Sequence, residues 1–438
     1  MNTSEQIVSF NIRLTTESPV SIGADKAHVL SPYADYVVSH DGTQLHYIDK
    51  QKLEALLGNN LELRTAFIEE LRSGILNKTR SEFDFSDFVS RQMGGSVESI
   101  TRETVKSYGL ERNKRQQIQS VIKSAGKLYI PGSSLKGAIR TAILYDWLDK
   151  TTEGEEVMRS AYKEMEKAYH LIAEKKELEL RKKTERRLSD ADFQKMKELG
   201  KAFSRQIRIL DREILKEDKL FGNIHQKERG PDSQQIQVSD SSFFDAQALT
   251  VYQAERIRMN PLDEKARSRA DQSQIPQPRE CIDIGGTAEF RLNLLPDKIF
   301  NKTLHYLKSD SANRLLEIIH DFSADCIENE IYNLESATDM PDTHARNALL
   351  RFYRDLSDRS EKGEIFIRLG LGKTVFDNSL LLAMMNYAED LHEDGEEAFL
   401  RYREVLFNVN PRKEFFPVTR TVTTYKNLPM GWVKLELL

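Results

Sequence analysis

"LYIPGSSLKGAIRTAIL", residues 128–144, takes an apolar strand end through Pro131-Gly132 into a helix. Leu135, Ile139, Ala142 and Ile143 recur at three- and four-residue steps, the spacing of one buried helix face. Pro131-Gly132 turns the chain sharply, and Ser133 or Ser134 is expected to open and cap the helix. The free N–H groups and dipole of that helix start favour an anion. Lys136 and Arg140, one turn apart, share a flank near the same positive end. Phosphate oxygens are the natural ligand of such a corner. The alternative is a capped core helix whose two cations face water, the default place for these residues.

The Lys-Gly order also invites a nucleotide-binding reading, and spacing excludes it. The GxxxxGK[ST] loop needs Lys and Ser or Thr directly after its second glycine. Gly132 and Gly137 have the gap, but Ala138 and Ile139 follow. "RLGLGKT", 368–374, fails because position 367 is Ile. This segment is instead a strand feeding a turn. There Gly370 and Gly372 would let the backbone approach a ligand, with Lys373 on a phosphate. A plain turn between strand and helix is the alternative.

The 438 residues allow two to three domains, and 39% hydrophobic content allows real cores. A mean hydropathy of −0.55 and 30% charged residues indicate much solvated surface. No apolar run approaches the ~18 residues of a membrane span. The amino-terminal stretch has no secretory signal pattern. Cys281 and Cys326 are far apart and lack metal-ligand spacing. They are expected to be buried, inert thiols, which fits a reducing cytoplasm. Net charge is −5, unlike a nucleic-acid binder. The sum hides a run from 112 to 140 with seven cations and no acid: Arg112, Lys114, Arg115, Lys123, Lys127, Lys136 and Arg140. A binder needs a basic stripe, not a basic total.

Along the chain, Phe10, Ile12 and Leu14 alternate with polar residues, as in a half-buried strand. Residues 49–60 predict a short helix, 77–99 a polar loop, and 127–130 a strand. Residues 155–219 predict two long charged helices in a hairpin, the second starting with an N-cap at "SDAD", 189–192. Polar loops are expected at 222–236 and 260–280. Phe290, Leu292 and Leu294 echo the first strand; 364–374, 379–391 and 431–438 read as strand, helix and strand. Strand–helix–strand order thus appears twice, which suits a duplicated α+β fold of ferredoxin type.

No catalytic constellation emerges. Of nine histidines, only His28, His40 and His46 lie close in sequence, without metal-ligand helical spacing. Asp240 and Asp245 in "VSDSSFFDAQ" are a weak carboxylate pair. "RETVKSYGLERNKRQQIQ", 102–119, would either track a polynucleotide backbone or form an ordinary polar helix. No cofactor and no metal are expected.

"YIPGSSLKGAIRTAI" resembles the signature of the RAMP superfamily of CRISPR effector proteins. Other blocks, in order, resemble the fifth-subunit family of type III-A Csm complexes: "SPVSIGADK", "VSDSSF", "IPQPRECIDIGGTAEFRL", "RLGLGKT" and "PMGWVKLEL". The resemblance implies two fused RRM-like modules, at 1–283 with a helical insertion near 150–222, and at 284–438. It implies a non-catalytic subunit of the CRISPR antiviral effector that caps the 3′ side of the guide RNA (crRNA). Such a subunit stacks on the neighbouring backbone RAMP subunit and supports guide maturation by positioning or recruiting host nucleases. The small helical Csm subunit and, indirectly, target RNA are further expected partners, with no membrane involved.

Carried over residue by residue, Gly132, Ser133, Ser134, Lys136, Gly137 and Arg140 would hold guide phosphates. Gly370, Gly372 and Lys373 match the family's second loop, which is usually richer in glycine. Arg112, Lys114 and Arg115 belong to the same basic run. The aromatic consensus of base-stacking RRMs is absent, so recognition is expected through phosphates, sugars and shape. Two competing readings are a metal-dependent endoribonuclease, with Asp25, Asp35 or Asp41 as its loop aspartate, and a scaffold dominated by the helical hairpin. A loop inserted between guide nucleotides is placed at 77–120.

Overall fold

The structure, a computed structural model, describes residues 8–24, 29–76, 85–92, 97–111, 116–185, 189–215, 220, 236–260, 276–294, 311–391, 395–407 and 416–438. It is an α/β arrangement of two large sheets with helices packed on them. The first sheet is antiparallel and contains β1 (Val8–Thr16), β9 (Ile236–Val238), β12 (Thr287–Leu294), β13 (Ile365–Arg368) and β15 (Trp432–Leu437). Its strand order is β13-β15-β1-β12-β9.

The second sheet contains β2 (Val29–Leu30), β3 (Tyr36–Val38), β4 (Gln44–Ile48), β5 (Thr101–Tyr108), β6 (Ile118–Gln119), β10 (Leu249–Arg258), β11 (Gln277–Ile282) and β14 (Thr419–Thr423). Seven of these run β2-β6-β11-β10-β5-β4-β3, and β14 pairs with β10. β7 (Lys123–Ser124) and β8 (Lys127–Leu128) form a separate small hairpin.

The expected first strand is present, with Ile12 and Leu14 buried and Asn11 and Arg13 exposed. Its echo at 290–294 is its neighbour. Ile12 lies opposite Phe290, and Phe10 opposite Leu292. β15 flanks β1 on the other side, with Leu14 opposite Leu435. A boundary at 283/284 therefore does not separate two sheets. β1 sits between two strands from beyond it, while β14 joins the sheet built largely from residues before it. Period-2 alternation says which side chains face a core; it does not say which strand lies alongside.

Among the helices, α1 (Lys50–Gly58), α2 (Leu61–Leu76) and α3 (Phe85–Gln92) cover one end of the second sheet. They share a small core with Val37, Ile48, Val97 and Ile100. α3 corrects the polar-loop expectation for 77–99. Phe85, Phe88 and Val89 are spaced as one helix face and are buried. β5 corrects the helix reading of 102–119 over Thr101–Tyr108, since Val105 and Ser107 point inward while Thr104 and Lys106 are exposed.

α4 (Gly132–Lys150) buries Leu135, Ile139, Ala142 and Ile143 as expected. It packs on α7 (Ser311–Ser336), which pairs with α8 (Thr343–Ser360).

The charged hairpin consists of α5 (Thr152–Glu185) and α6 (Asp190–Ile209), the latter extended by a π turn at Leu210–Ile214. Ser189 caps α6 by accepting the Asp192 N–H at 3.1 Å. The hairpin is joined to the rest of the chain. Met158, Ala161, Met165 and Ala168 enter the main core. Tyr162 donates to the Met384 carbonyl at 2.6 Å on α9 (Leu381–Leu391). On α10 (Gly395–Phe407), Glu404 pairs with Lys176 and Arg401 lies 3.5 Å from Glu166. Among the described residues, no helix is long and apolar enough to cross a membrane.

Candidate nucleic-acid interface

α4 starts at Gly132, ahead of both serines. Pro131 is its N-cap, extended at φ −60° and ψ 136°, and it offers no side-chain cap. Proline fixes φ and has no N–H to satisfy at this point. The Gly132 N–H is donated to Asp240 Oδ1 at 2.7 Å. The capping group thus comes from "VSDSSF", and Ser133 and Ser134 are not the caps.

That segment is a clip between the α4 start and β12. Ser241 Oγ accepts the Ile130 N–H at 2.9 Å. Ser239 and Ser242 hydroxyls accept the Arg291 and Glu289 N–H groups, each at 2.9 Å. The clip lies so close that a Cβ on Gly132 would overlap the Val238 carbonyl oxygen. Asp245 is likewise structural, accepting the Gln247 N–H at 2.8 Å.

The expected phosphate corner therefore has its first N–H filled by the protein's own carboxylate. A carboxylate at this end is electrostatically favoured, and an incoming phosphate at that N–H would meet its charge. The flank one turn on remains cationic. Lys136 and Arg140 are half-buried, while Ser133 and Gly137 are exposed. Burial, with the Arg140 charge beside it, holds the Lys136 ammonium below its ordinary value. A phosphate oxygen bridging the two would relieve both effects.

The remaining cations of the basic run part company. Lys123 lies 2.9 Å from both oxygens of buried Glu280. Glu280 also accepts the Tyr47 hydroxyl at 2.5 Å and the Val121 N–H at 3.1 Å. Lys123 is thus committed to the interior. Lys127 sits 5.3 Å from the ring centroid of Phe243, and that ring is 50% exposed. This aromatic–cation pair, beside the Asp240 clip, escaped sequence reasoning; its only signal was an aromatic directly after the polar motif. Arg112, Lys114 and Arg115 lie outside the described residues.

The second loop is a crossing point of three backbone segments. Gly370 and Gly372 have φ of +64° and +105°. A Cβ there would overlap the carbonyl oxygens of Ser21 and Met430, respectively. Leu371 donates to the Ser21 carbonyl at 2.9 Å, Leu369 to Gly431 at 2.7 Å, and Gly431 to Pro19 at 3.0 Å. The glycines thus serve close approach within the chain, where a ligand was expected.

Under the loop, buried Arg368 reaches Asp377 at 2.9 Å, and Asp377 also accepts the Thr374 N–H at 2.6 Å. Lys373 is half-buried; burial holds its ammonium below the ordinary value, Asp377 opposing and Arg368 adding to the shift. Thr141, next to Arg140, and Val375, two residues past Lys373, line one cavity of ≈ 340 Å³ with Leu144, Leu381 and Met384. α4 and the segment just past the second loop thus meet at one opening.

Nothing in the site supplies a metal centre among the described residues, where no group of His, Cys, Asp and Glu gathers. Asp35 accepts the Ser31 N–H at 2.7 Å and pairs with Lys50 at 2.9 Å. Asp41 closes a turn; the Ser39 and Thr43 hydroxyls hold its carboxyl at about 2. Asp25 lies outside the described residues, as does His28. Both cysteines are free and buried.

A family model for the RAMP superfamily matches residues 13–426. Comparison with curated proteins gives no match. Among solved structures, the chain is similar to one in the cryo-EM structure of a Csm–crRNA–target RNA ternary complex of a type III-A CRISPR-Cas system. The two share 21% identity and a TM-score of 0.57 over 98% of this chain and 100% of that one. It is also similar to the crystal structure of T. onnurineus Csm5, with 20% identity and a TM-score of 0.58 over 96% and 99% of the two chains. At such identities the likeness is one of fold, and it spans the chain from end to end. By the match of the family model over nearly its whole length, this chain belongs to the RAMP superfamily.

Proposed function

We propose that this protein is a non-catalytic subunit of a type III-A CRISPR effector complex, in the position of the fifth Csm subunit. It binds the crRNA backbone, caps its 3′ side, and supports crRNA maturation and assembly. The observation that carries this reading is the end-to-end likeness to Csm5 and to a chain of a Csm–crRNA–target RNA complex. The Lys136–Arg140 flank supplies a sequence-blind phosphate site of the kind such a role needs.

In this reading each sheet with its helices is one RRM-like module, and each draws strands from both sides of the 283/284 boundary. The partners are crRNA, the neighbouring backbone RAMP subunits, the small helical Csm subunit, trimming nucleases of the host and, indirectly, target RNA. The test is purification of the tagged full-length chain from its native host. Co-purification of a short RNA with Csm subunits is the expected result. Recovery of the chain free of RNA and of every Csm subunit would overturn the proposal.

A further inference from the structure

The face of the second sheet that holds Tyr252 carries an aromatic column. β5 and β14 share one edge of β10 end to end. β5 pairs in parallel with Thr250–Tyr252, and β14 pairs antiparallel with Ala254–Arg258. Where they meet, Tyr108 at the end of β5 stacks on Tyr252 with ring centroids 5.0 Å apart and planes at 29°. Tyr108 also stacks on Tyr425, just past β14, at 4.6 Å and 17°.

The column is fixed at one end and open at the other. Tyr252 is buried, and its hydroxyl donates to Asp283 Oδ1 at 2.7 Å. Leu371 of the Gly-rich loop and Met430 pack in the same cluster. Tyr425 is 38% exposed, and the Lys426 ammonium lies 5.1 Å from its ring centroid.

Cations collect around this column. Arg279 lies directly opposite Tyr252 in the β10–β11 ladder, hence on the same face. Arg256, four residues beyond Tyr252 on β10, shares that face and is exposed, as is Lys106, two residues before Tyr108 on β5. Burial holds the Arg279 guanidinium below its ordinary value, and the Arg256 charge adds to this. Among the described residues, none of Lys106, Arg256 and Arg279 forms an ion pair with a carboxylate. An acidic protein would match the charge but would gain nothing from pre-stacked rings. A polyanion that also carries flat π-faces matches both features.

We propose that this face binds single-stranded RNA, with a base stacked on Tyr425 and phosphates paired to Lys106, Arg256, Arg279 and Lys426. When a base arrives, the Lys426 ammonium leaves the ring for a phosphate. Every base has a π-face, so the contact is indifferent to sequence. The proposal rests on the reading of the chain as an RNA binder and adds a surface other than the Lys136–Arg140 flank.

The test measures binding of the purified full-length protein to short oligoadenylate and to an abasic ribose-phosphate oligomer of equal length. Wild type is expected to prefer oligoadenylate. Tyr425→Ala should lose about tenfold or more in affinity for it, the scale of one base–aromatic stack, and bind the abasic oligomer as wild type does. Tyr425→Phe should retain the preference, and the salt slope should stay unchanged in both variants. Equal wild-type affinity for the two oligomers, or a Tyr425→Ala variant that keeps the preference, overturns the stacking surface while leaving RNA binding intact. Wild-type binding to neither oligomer would remove the RNA-binding reading as well.

Discussion

Asp240 Oδ1 accepts the Gly132 N–H at 2.7 Å across 108 positions of sequence, so the first turn of α4 is capped by a distant segment. A carboxylate there satisfies an orphan donor and complements the helix dipole. Asp240→Ala should cost about 1 kcal/mol of stability, read as a shift of the denaturant midpoint at unchanged slope. Asp240→Asn keeps an acceptor and should lose less. Equal losses in the two variants would contradict the charge component of the cap.

Lys136 and Arg140 form a half-buried cationic flank on that helix. Lys136→Ala combined with Arg140→Ala should weaken binding of unrelated RNA sequences alike and reduce the salt slope by about 1–2. The Lys136 ammonium lies below its ordinary value, so it gives up its proton at a lower pH than a solvated lysine. RNA favours the protonated form. Affinity should therefore fall as pH rises on the alkaline side, earlier in wild type than in Lys136→Arg. An unchanged salt slope in the double variant would refute the phosphate role.

Arg368 and Asp377 form a buried pair at 2.9 Å, with side chains 2% and 5% exposed. Arg368→Ala strands the Asp377 carboxylate in the interior and should cost about 3–5 kcal/mol. Asp377→Ala should cost a similar amount, whereas the double variant should cost less than the two single losses together. Strict additivity in chemical denaturation would show that the two side chains do not act as a pair.

Cys281 and Cys326 are fully enclosed, and burial pushes both thiols up. The thiolate is the reactive form, so neither should react with a thiol reagent at neutral pH in the native state. Both should react on unfolding. Prompt labelling of one thiol in the folded protein would show that its enclosure opens.

Much of the local structure was written in short-range pattern. Phe10, Ile12 and Leu14 announced a half-buried strand, Leu135, Ile139 and Ile143 a buried helix face, and Ser189 the start of α6. Each reading needs only a period or a cap, and these are local. The polar neighbours of Phe85, Phe88 and Val89 hid α3, because three apolar positions in a charged stretch are a weak signal. The α4 cap is hidden by distance. Ser133 and Ser134 were the nearest candidates, while the true acceptor stands 108 positions away.

The amino-acid order alone determined which residues turn inward, where the two glycine loops fall, and that seven cations cluster without an acid. Only the tertiary structure decided what those features meet. It laid β1 between β12 and β15, turned Lys123 onto Glu280, and stacked Tyr108 between Tyr252 and Tyr425. The reason is physical. Periodicity specifies a face, whereas pairing, burial of charge and ring stacking depend on groups brought together from distant positions, whose competition no local window contains.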